Sequence, residues 1–135
     1  MKYRQTFIGI TVLVLLGSLM AAPVLADECR ARLRPLLLSS EHDQTQIDAV
    51  RAVCEREYAA GSADAGYQLA LIDLGLDGWM PERATPLIRE AADRGVAEAR
   101  YWLAWQYEAG PILENDQASA LYWYRAAAEL DHRLA

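Results

Sequence analysis

With 135 residues, of which 24% are charged, and a net charge of −6, the chain has room for one small domain with an acidic surface. The absence of a basic cluster argues against nucleic acid and anionic lipid as partners. Its two histidines and two cysteines fall in no pattern with metal-ligand spacing, so the sequence predicts neither a metal site nor another cofactor.

The first 26 residues have the layout of a secretory signal peptide. Lys2 and Arg4 give a positive start, an apolar run covers residues 7–19, and small residues lead to a cleavage point after Ala26. A membrane anchor is the alternative, but the run is shorter than the roughly 20 residues that span a bilayer. We therefore expect a periplasmic or secreted protein that is free of the membrane after cleavage.

Residues 27–61 form the first predicted unit, a helical hairpin. Apolar residues at three- and four-residue spacing predict helices over 28–38 and 43–60. An antiparallel pair would bring Cys29 close to Cys54, and disulfides persist in exported proteins. Closing this loop of about 25 residues stabilises the fold by about 3 kcal/mol in the chain-entropy model. A redox pair is the alternative, but the chain has no C-x-x-C motif to favour it.

Two further hairpins are predicted within residues 62–135. The first pairs a helix over 63–74 with a helix that has Pro81 at its first position. Pro86 follows and lacks an N–H group. The second helix therefore either starts late, with Thr85 as its cap, or bends in its first turn.

The last hairpin has the clearest periodicity. In its first helix Ala99, Leu103 and Tyr107 recur every four residues, which places them on one side. Gly110 ends that helix. Small residues in the second helix leave room for another helix to approach closely. These residues are Ala120, Ala127 and Ala128.

The pattern also occurs one period earlier, since Ala65 and Leu69 precede Ala99 and Leu103 by roughly 34 residues, an interval typical of helical solenoids. The segments A-x-x-x-L-A-x-x-Y-x-x-G at 99–110 and D-x-x-S-A-x-x-W-Y-x-x-A-A at 116–128 resemble the Sel-1-like repeat, a relative of the tetratricopeptide repeat. The earlier copy is degenerate, because Asp73 replaces the tyrosine of its first helix.

The resemblance implies an all-α fold, a short right-handed α-solenoid of about three antiparallel helix hairpins. Two repeats would span about 63–96 and 97–132, after the disulfide-linked unit. In repeats of this type the first helix of each hairpin lines the concave surface. The resemblance therefore implies an exported protein-interaction module that binds a partner protein or peptide there.

Two surfaces are candidates for binding. The concave surface would carry an aromatic strip, for which Trp and Tyr are favoured residues because they bury large areas. Packing between successive repeats is an equally open role for these side chains, which are Tyr67, Leu71, Tyr101, Trp105 and Glu108. The last helix has no polar capping helix after it and would expose Leu121, Tyr122 and Leu130. Charged neighbours keep this second face soluble, or it docks a partner or a second copy.

No catalytic constellation stands out in the sequence. There is no G-x-S-x-G motif, and Lys2 is the only lysine, which excludes a P-loop and a Schiff-base lysine. We interpret the acidic pairs Glu55/Glu57 and Asp73/Asp77 as solvated charges of amphipathic helices. We therefore expect no enzyme. The alternatives are a small secreted hydrolase that acts on cell-wall material and a self-associating structural fragment.

Overall fold

A computed structural model describes residues 27–130, in which the chain forms six α-helices and no β-strand. The predicted all-α class is confirmed. The predicted signal peptide and the end of the last predicted repeat lie outside the described residues. The helices are α1 (Glu28–Leu38), α2 (Gln44–Ala59), α3 (Ala63–Leu71), α4 (Pro81–Asp93), α5 (Ala97–Ala109) and α6 (Gln117–Ala128), and a π-helical turn, Ile72–Leu76, continues α3. Among these described helices, none has the length and apolar character needed to cross a membrane.

Side-chain caps begin three of the helices. The Asp43 carboxylate accepts a hydrogen bond from the Gln46 N–H at 2.9 Å, and the Gln46 side chain accepts one from the Asp43 N–H at 3.0 Å. Ser62 and Asp116 cap α3 and α6 in the same general way, through acceptors for the first backbone donors. These bonds satisfy N–H groups that a helix start leaves unpaired, which is why the helices begin where they do.

Helix α4 runs through its internal proline. It begins at Pro81, so the alternative of a late start with Thr85 as the cap is wrong. Pro86 cannot donate to the carbonyl group of Glu82, one turn earlier. Both residues are exposed, so water can replace the missing bond.

Helices α2 and α4 end in the same way. Gly61 and Gly95 have φ angles of 101° and 92°, a region that favours glycine. In each case the glycine N–H donates to the carbonyl oxygen three residues back and the next N–H donates five residues back, at 2.9–3.1 Å. This is the Schellman arrangement, which pairs carbonyl groups that the helix end would otherwise leave free.

Each helix packs against the next one in the chain, and α1 also contacts α3. Most of the buried hydrophobic side chains form two clusters. The first joins α1, α2 and α3 and consists of Cys29, Leu33, Ile47, Val50, Val53, Cys54, Ala65, Leu69 and Ile72. The second joins α3, α4 and α5 and consists of Tyr67, Ala70, Ala84, Ile88, Ala91, Ala92, Ala99 and Leu103. We call them the aliphatic cluster and the alanine cluster.

The sulfur atoms of Cys29 and Cys54 lie 2.04 Å apart, at disulfide distance, as the sequence predicts. Both side chains are fully buried within the aliphatic cluster. The pair joins the first turn of α1 to the later part of α2.

The small residues of α5 and α6 are only partly enclosed. Ala99 and Ala127 are fully buried, which fits the predicted close approach of helices. Ala128 is exposed, so its predicted place in a helix contact is wrong. It is the last residue of α6, and no later helix among residues 27–130 covers it.

Two carboxylates that the sequence suggested were solvated are buried. Glu57 is 7% exposed and accepts a hydrogen bond from the Cys29 N–H at 3.0 Å. Asp73 is 1% exposed and forms an ion pair with Arg51 at 2.8 Å. The solvated interpretation is therefore wrong for both, because their partners lie on other helices and leave no trace in local spacing. Glu57 caps α1, and Asp73 ties the π-helical turn to α2.

Candidate functional site

A groove runs along α1, α3 and α5. It consists of two adjoining pockets, of about 500 and 300 Å³, that share Leu37 and Leu71. The charged end of the groove is lined by Asp27, Arg30, Arg34, Tyr67, Gln68 and Glu98. The aromatic end is lined by Leu74, Trp79, Trp102, Trp105, Gln106 and Ile112. Three helices that do not follow one another in the chain, α1, α3 and α5, thus contribute to one surface.

The aromatic end carries no charged residue among the ten described residues that line it. It contains three of the four tryptophans of the chain. Trp79 is 60% exposed and Trp105 is 43% exposed, while Trp102 packs partly against the alanine cluster. The buried Gln106 side chain accepts a hydrogen bond from the Ile112 N–H at 3.1 Å, which holds the loop after α5 against the groove.

At the charged end one arginine joins three helices. The Arg30 guanidinium donates to Asp64, in the first turn of α3, and to Glu98, in the first turn of α5, at 2.8 Å. The bond to Asp64, together with the Glu98 carboxylate, holds the pKa of Arg30 above its ordinary value. Tyr67 lies beside this group, and burial raises the pKa of its hydroxyl to about 12. These contacts fix the spacing of α1, α3 and α5 at this end.

Three of the five predicted partner-binding residues lie on the groove. Tyr67 is 9% exposed and lines the charged end, whereas Leu71 is partly buried and belongs to both ends. Trp105 lines the aromatic end. The structure therefore brings these residues of α3 and α5 to one surface, although Tyr67 contributes mainly to the core.

The other two residues, Tyr101 and Glu108, contact α6. The rings of Tyr101 and Tyr124 meet edge to face with centroids 5.7 Å apart. The Tyr124 hydroxyl donates to the Glu108 carboxylate at 2.5 Å. Burial and this hydrogen bond raise the pKa of Tyr124 to about 12. The predicted stripe on α5 is thus divided between the groove and the α5–α6 contact.

Several groove residues were not predicted from the sequence. Leu37, Trp79 and Trp102 line the aromatic end, and Arg34 lines the charged end. Trp79 offered a usable signal, because it lies in a turn with no helix face to join and tryptophan is enriched among residues that dominate binding energy. Leu37 offered none, since its place depends on how α1 packs against α3.

The last helix presents a separate apolar surface. Leu121 is 50% exposed, Tyr122 63% and Leu130 42%. Beside them, the Arg100 guanidinium donates to the carbonyl oxygens of Ala92 and Ala126, each at 2.8 Å. Helix α6 is therefore held firmly to its neighbours while its outer side faces solvent.

Within residues 27–130 no group of three or more His, Cys, Asp and Glu side chains is placed to hold a metal ion. No family model, curated protein or solved structure matches the chain. The groove and the outer side of α6 are therefore the features from which function is inferred.

Proposed function

We propose that this chain is an exported interaction module of Sel-1-like repeats that binds a partner protein or peptide in the groove. The observation that carries the proposal is the aromatic end, an uncharged surface with two exposed tryptophans in a chain of which 24% is charged. Exposed apolar patches with a polar rim are typical of interaction sites, and tryptophan is enriched among residues that dominate binding energy.

The recurrence of structural features supports a repeat architecture. Arg30 bonds to residues 34 and 68 positions later, so equivalent places on α1, α3 and α5 meet. Ala65 and Ala99 are both fully buried, and α2 and α4 share one type of C-terminal cap. We infer three stacked antiparallel helix hairpins, a short right-handed solenoid, with the first helix of each hairpin on the concave side.

Export is supported by two features of the N-terminal part. Residues 1–26 have the pattern of a cleavable signal peptide. The cysteine pair lies at disulfide distance, and such bonds persist in the periplasm and outside the cell.

A photo-crosslinking test compares the groove with another exposed surface. A crosslinking amino acid replaces Trp105 in one variant and Tyr122 in a matched control, each in the exported protein. We expect a partner to be captured from position 105 and not from position 122, and Trp79→Ala to reduce the capture. Thermal unfolding should stay nearly unchanged, because both side chains lie at the surface, Trp79 at 60% and Trp105 at 43% exposure. Equal capture from both positions, or a large fall in the melting temperature, would contradict the proposal.

Self-association through α6 is a second candidate, favoured by the exposure of Leu121, Tyr122 and Leu130. Crosslinks from position 122 to a second copy of the chain would support it. The hydrolase alternative lacks a comparable observation, since the buried carboxylates of Glu57 and Asp73 are bonded to Cys29 and Arg51 inside the fold.

A further inference from the structure

The two ends of the groove can hold one continuous occupant. Leu37 and Leu71 line both pockets, so no helix separates them. Arg34 at the charged end precedes Leu37 by three residues on α1. This spacing places the two side chains on one face of the helix, about 4.5 Å apart along its axis. A ligand that lies on the aromatic end and extends past Leu37 therefore comes close to Arg34.

The two arginines beside this junction differ in whether they can pair with a ligand. Arg30 is already engaged by two carboxylates, those of Asp64 and Glu98. Arg34 is exposed and has no hydrogen bond or ion pair from its side chain to any of the residues 27–130. Arg34 is therefore the charged side chain that a ligand on the uncharged aromatic end can pair with.

The residue at the outer part of the charged end adds no further net positive charge. Asp27 lines this part and makes no capping hydrogen bond. It precedes Arg34 by seven residues, which is two helical turns or about 10 Å. After cleavage behind Ala26 its carboxylate balances the α-amino group of the same residue, so a second carboxylate of the occupant gains no partner here. A strongly acidic partner would be repelled by the cleaved chain, whose net charge is more negative than −6 because Lys2 and Arg4 are removed.

We propose that the occupant is a peptide segment with bulky uncharged side chains on the aromatic end and one carboxylate that pairs with Arg34. This inference rests on the proposed function, because it names the chemistry of the partner at the same groove. The apolar part supplies affinity through burial, and the single acidic side chain sets the direction in which the segment lies.

The test uses the exported, disulfide-bonded protein and a library of peptides about eight residues long, which extended cover about 26 Å. Both peptide ends are blocked. All positions are drawn from Leu, Ile, Trp, Pro and Gly except one, which is Glu, Gln or Lys. We expect the wild type to retain the Glu peptides about three- to fivefold better than the Gln peptides, as an exposed ion pair allows. Arg34→Glu should reverse the order in favour of Lys.

Arg32→Glu is the matched control. Arg32 lies on the same helix, is exposed, pairs with Glu28 and lines neither end of the groove, and its replacement changes the net charge equally. It should leave the preference for Glu intact. If peptides bind in a manner that depends on Trp105 but Arg34→Glu leaves their order unchanged, this inference is overturned and the proposed function stands. If no peptide is retained, or Trp105→Ala has no effect on retention, both fail.

Discussion

The aliphatic cluster and the alanine cluster hold helices together by different means. The aliphatic cluster combines branched side chains with a covalent link between α1 and α2. In the alanine cluster most of the buried residues are alanines, with Tyr67, Ile88 and Leu103 as the large exceptions. In the aliphatic cluster the shapes of the branched side chains determine how the helices pack. In the alanine cluster the small side chains let the helix backbones come close.

This difference explains why the small residues stand out in the sequence. Close helix approach requires small residues at fixed spacing, and the alanines of α3, α4 and α5 meet that requirement. Branched side chains can exchange positions with little cost as long as total volume is kept. The contact between α1 and α2 therefore needs no regular motif, and its link through Cys29 and Cys54 further relaxes the demand on packing.

The largest expected effect comes from removing the covalent link. The double substitution Cys29→Ala and Cys54→Ala should lower the free energy of unfolding by about 3 kcal/mol, because the unfolded chain regains the freedom of a loop of about 25 residues. Urea denaturation of the oxidised protein, the reduced protein and the double variant measures the change. The reduced protein and the variant should agree. Two reactive thiols in protein purified without reductant would show that the link is not formed.

An intermediate effect is expected from filling the alanine cluster. Ala99→Leu adds volume at a fully buried site between helices and should destabilise the fold by about 1–3 kcal/mol. Ala109→Leu is the control, since Ala109 lies exposed on the same helix and its replacement should change stability by less than about 0.5 kcal/mol. If the two variants are equally stable, the site of Ala99 is not tightly packed, and the distinction between the two clusters is lost.

The last expected effect is an alkaline loss of stability through Tyr67 of the alanine cluster and Tyr124 of α6. The pKa of Tyr67 is raised to about 12 chiefly by burial, and that of Tyr124 to about 12 by burial and then by its bond to Glu108. An unfolded tyrosine ionises near pH 10, so the folded state holds these protons more tightly. The contribution of these two hydroxyls to the free energy of unfolding should be constant below about pH 10 and fall as the pH rises toward 12.

Urea titrations between about pH 8 and 11.5 measure this dependence. The double variant Tyr67→Phe and Tyr124→Phe lacks both titrating hydroxyls, so its stability should fall less steeply over the same interval. A slope as steep as that of the wild type would show that other groups cause the loss.

Local signals were enough to predict the helices. Caps, glycines and apolar spacing gave α1 as 28–38 and placed Pro81 at the first position of α4, as observed. The π-helical turn at Ile72–Leu76 was not predicted, because it depends on a hydrogen-bonding pattern and on the buried Asp73, whose partner Arg51 lies on another helix. An ion pair such as that of Asp73 with Arg51 follows no spacing rule that a single sequence reveals.

The candidate site was predictable only in part for the same reason. Periodicity placed Tyr101 and Trp105 on one side of α5, since they are four residues apart. It did not show that α6 would cover one of them and leave the other on the groove. Trp79 and Leu37 join the groove through the packing of a loop and of α1, which local patterns do not describe.

The two hydrogen bonds of Arg100 use the shape of its side chain. Its Nε and Nη1 atoms donate to carbonyl groups near the ends of two different helices, α4 and α6, from one rigid planar group. A lysine at this position would keep the positive charge but would replace that fixed pair of donors by one ammonium nitrogen on a flexible stem. Arg100 thus links the end of α4 to the end of α6 through geometry that charge alone does not supply.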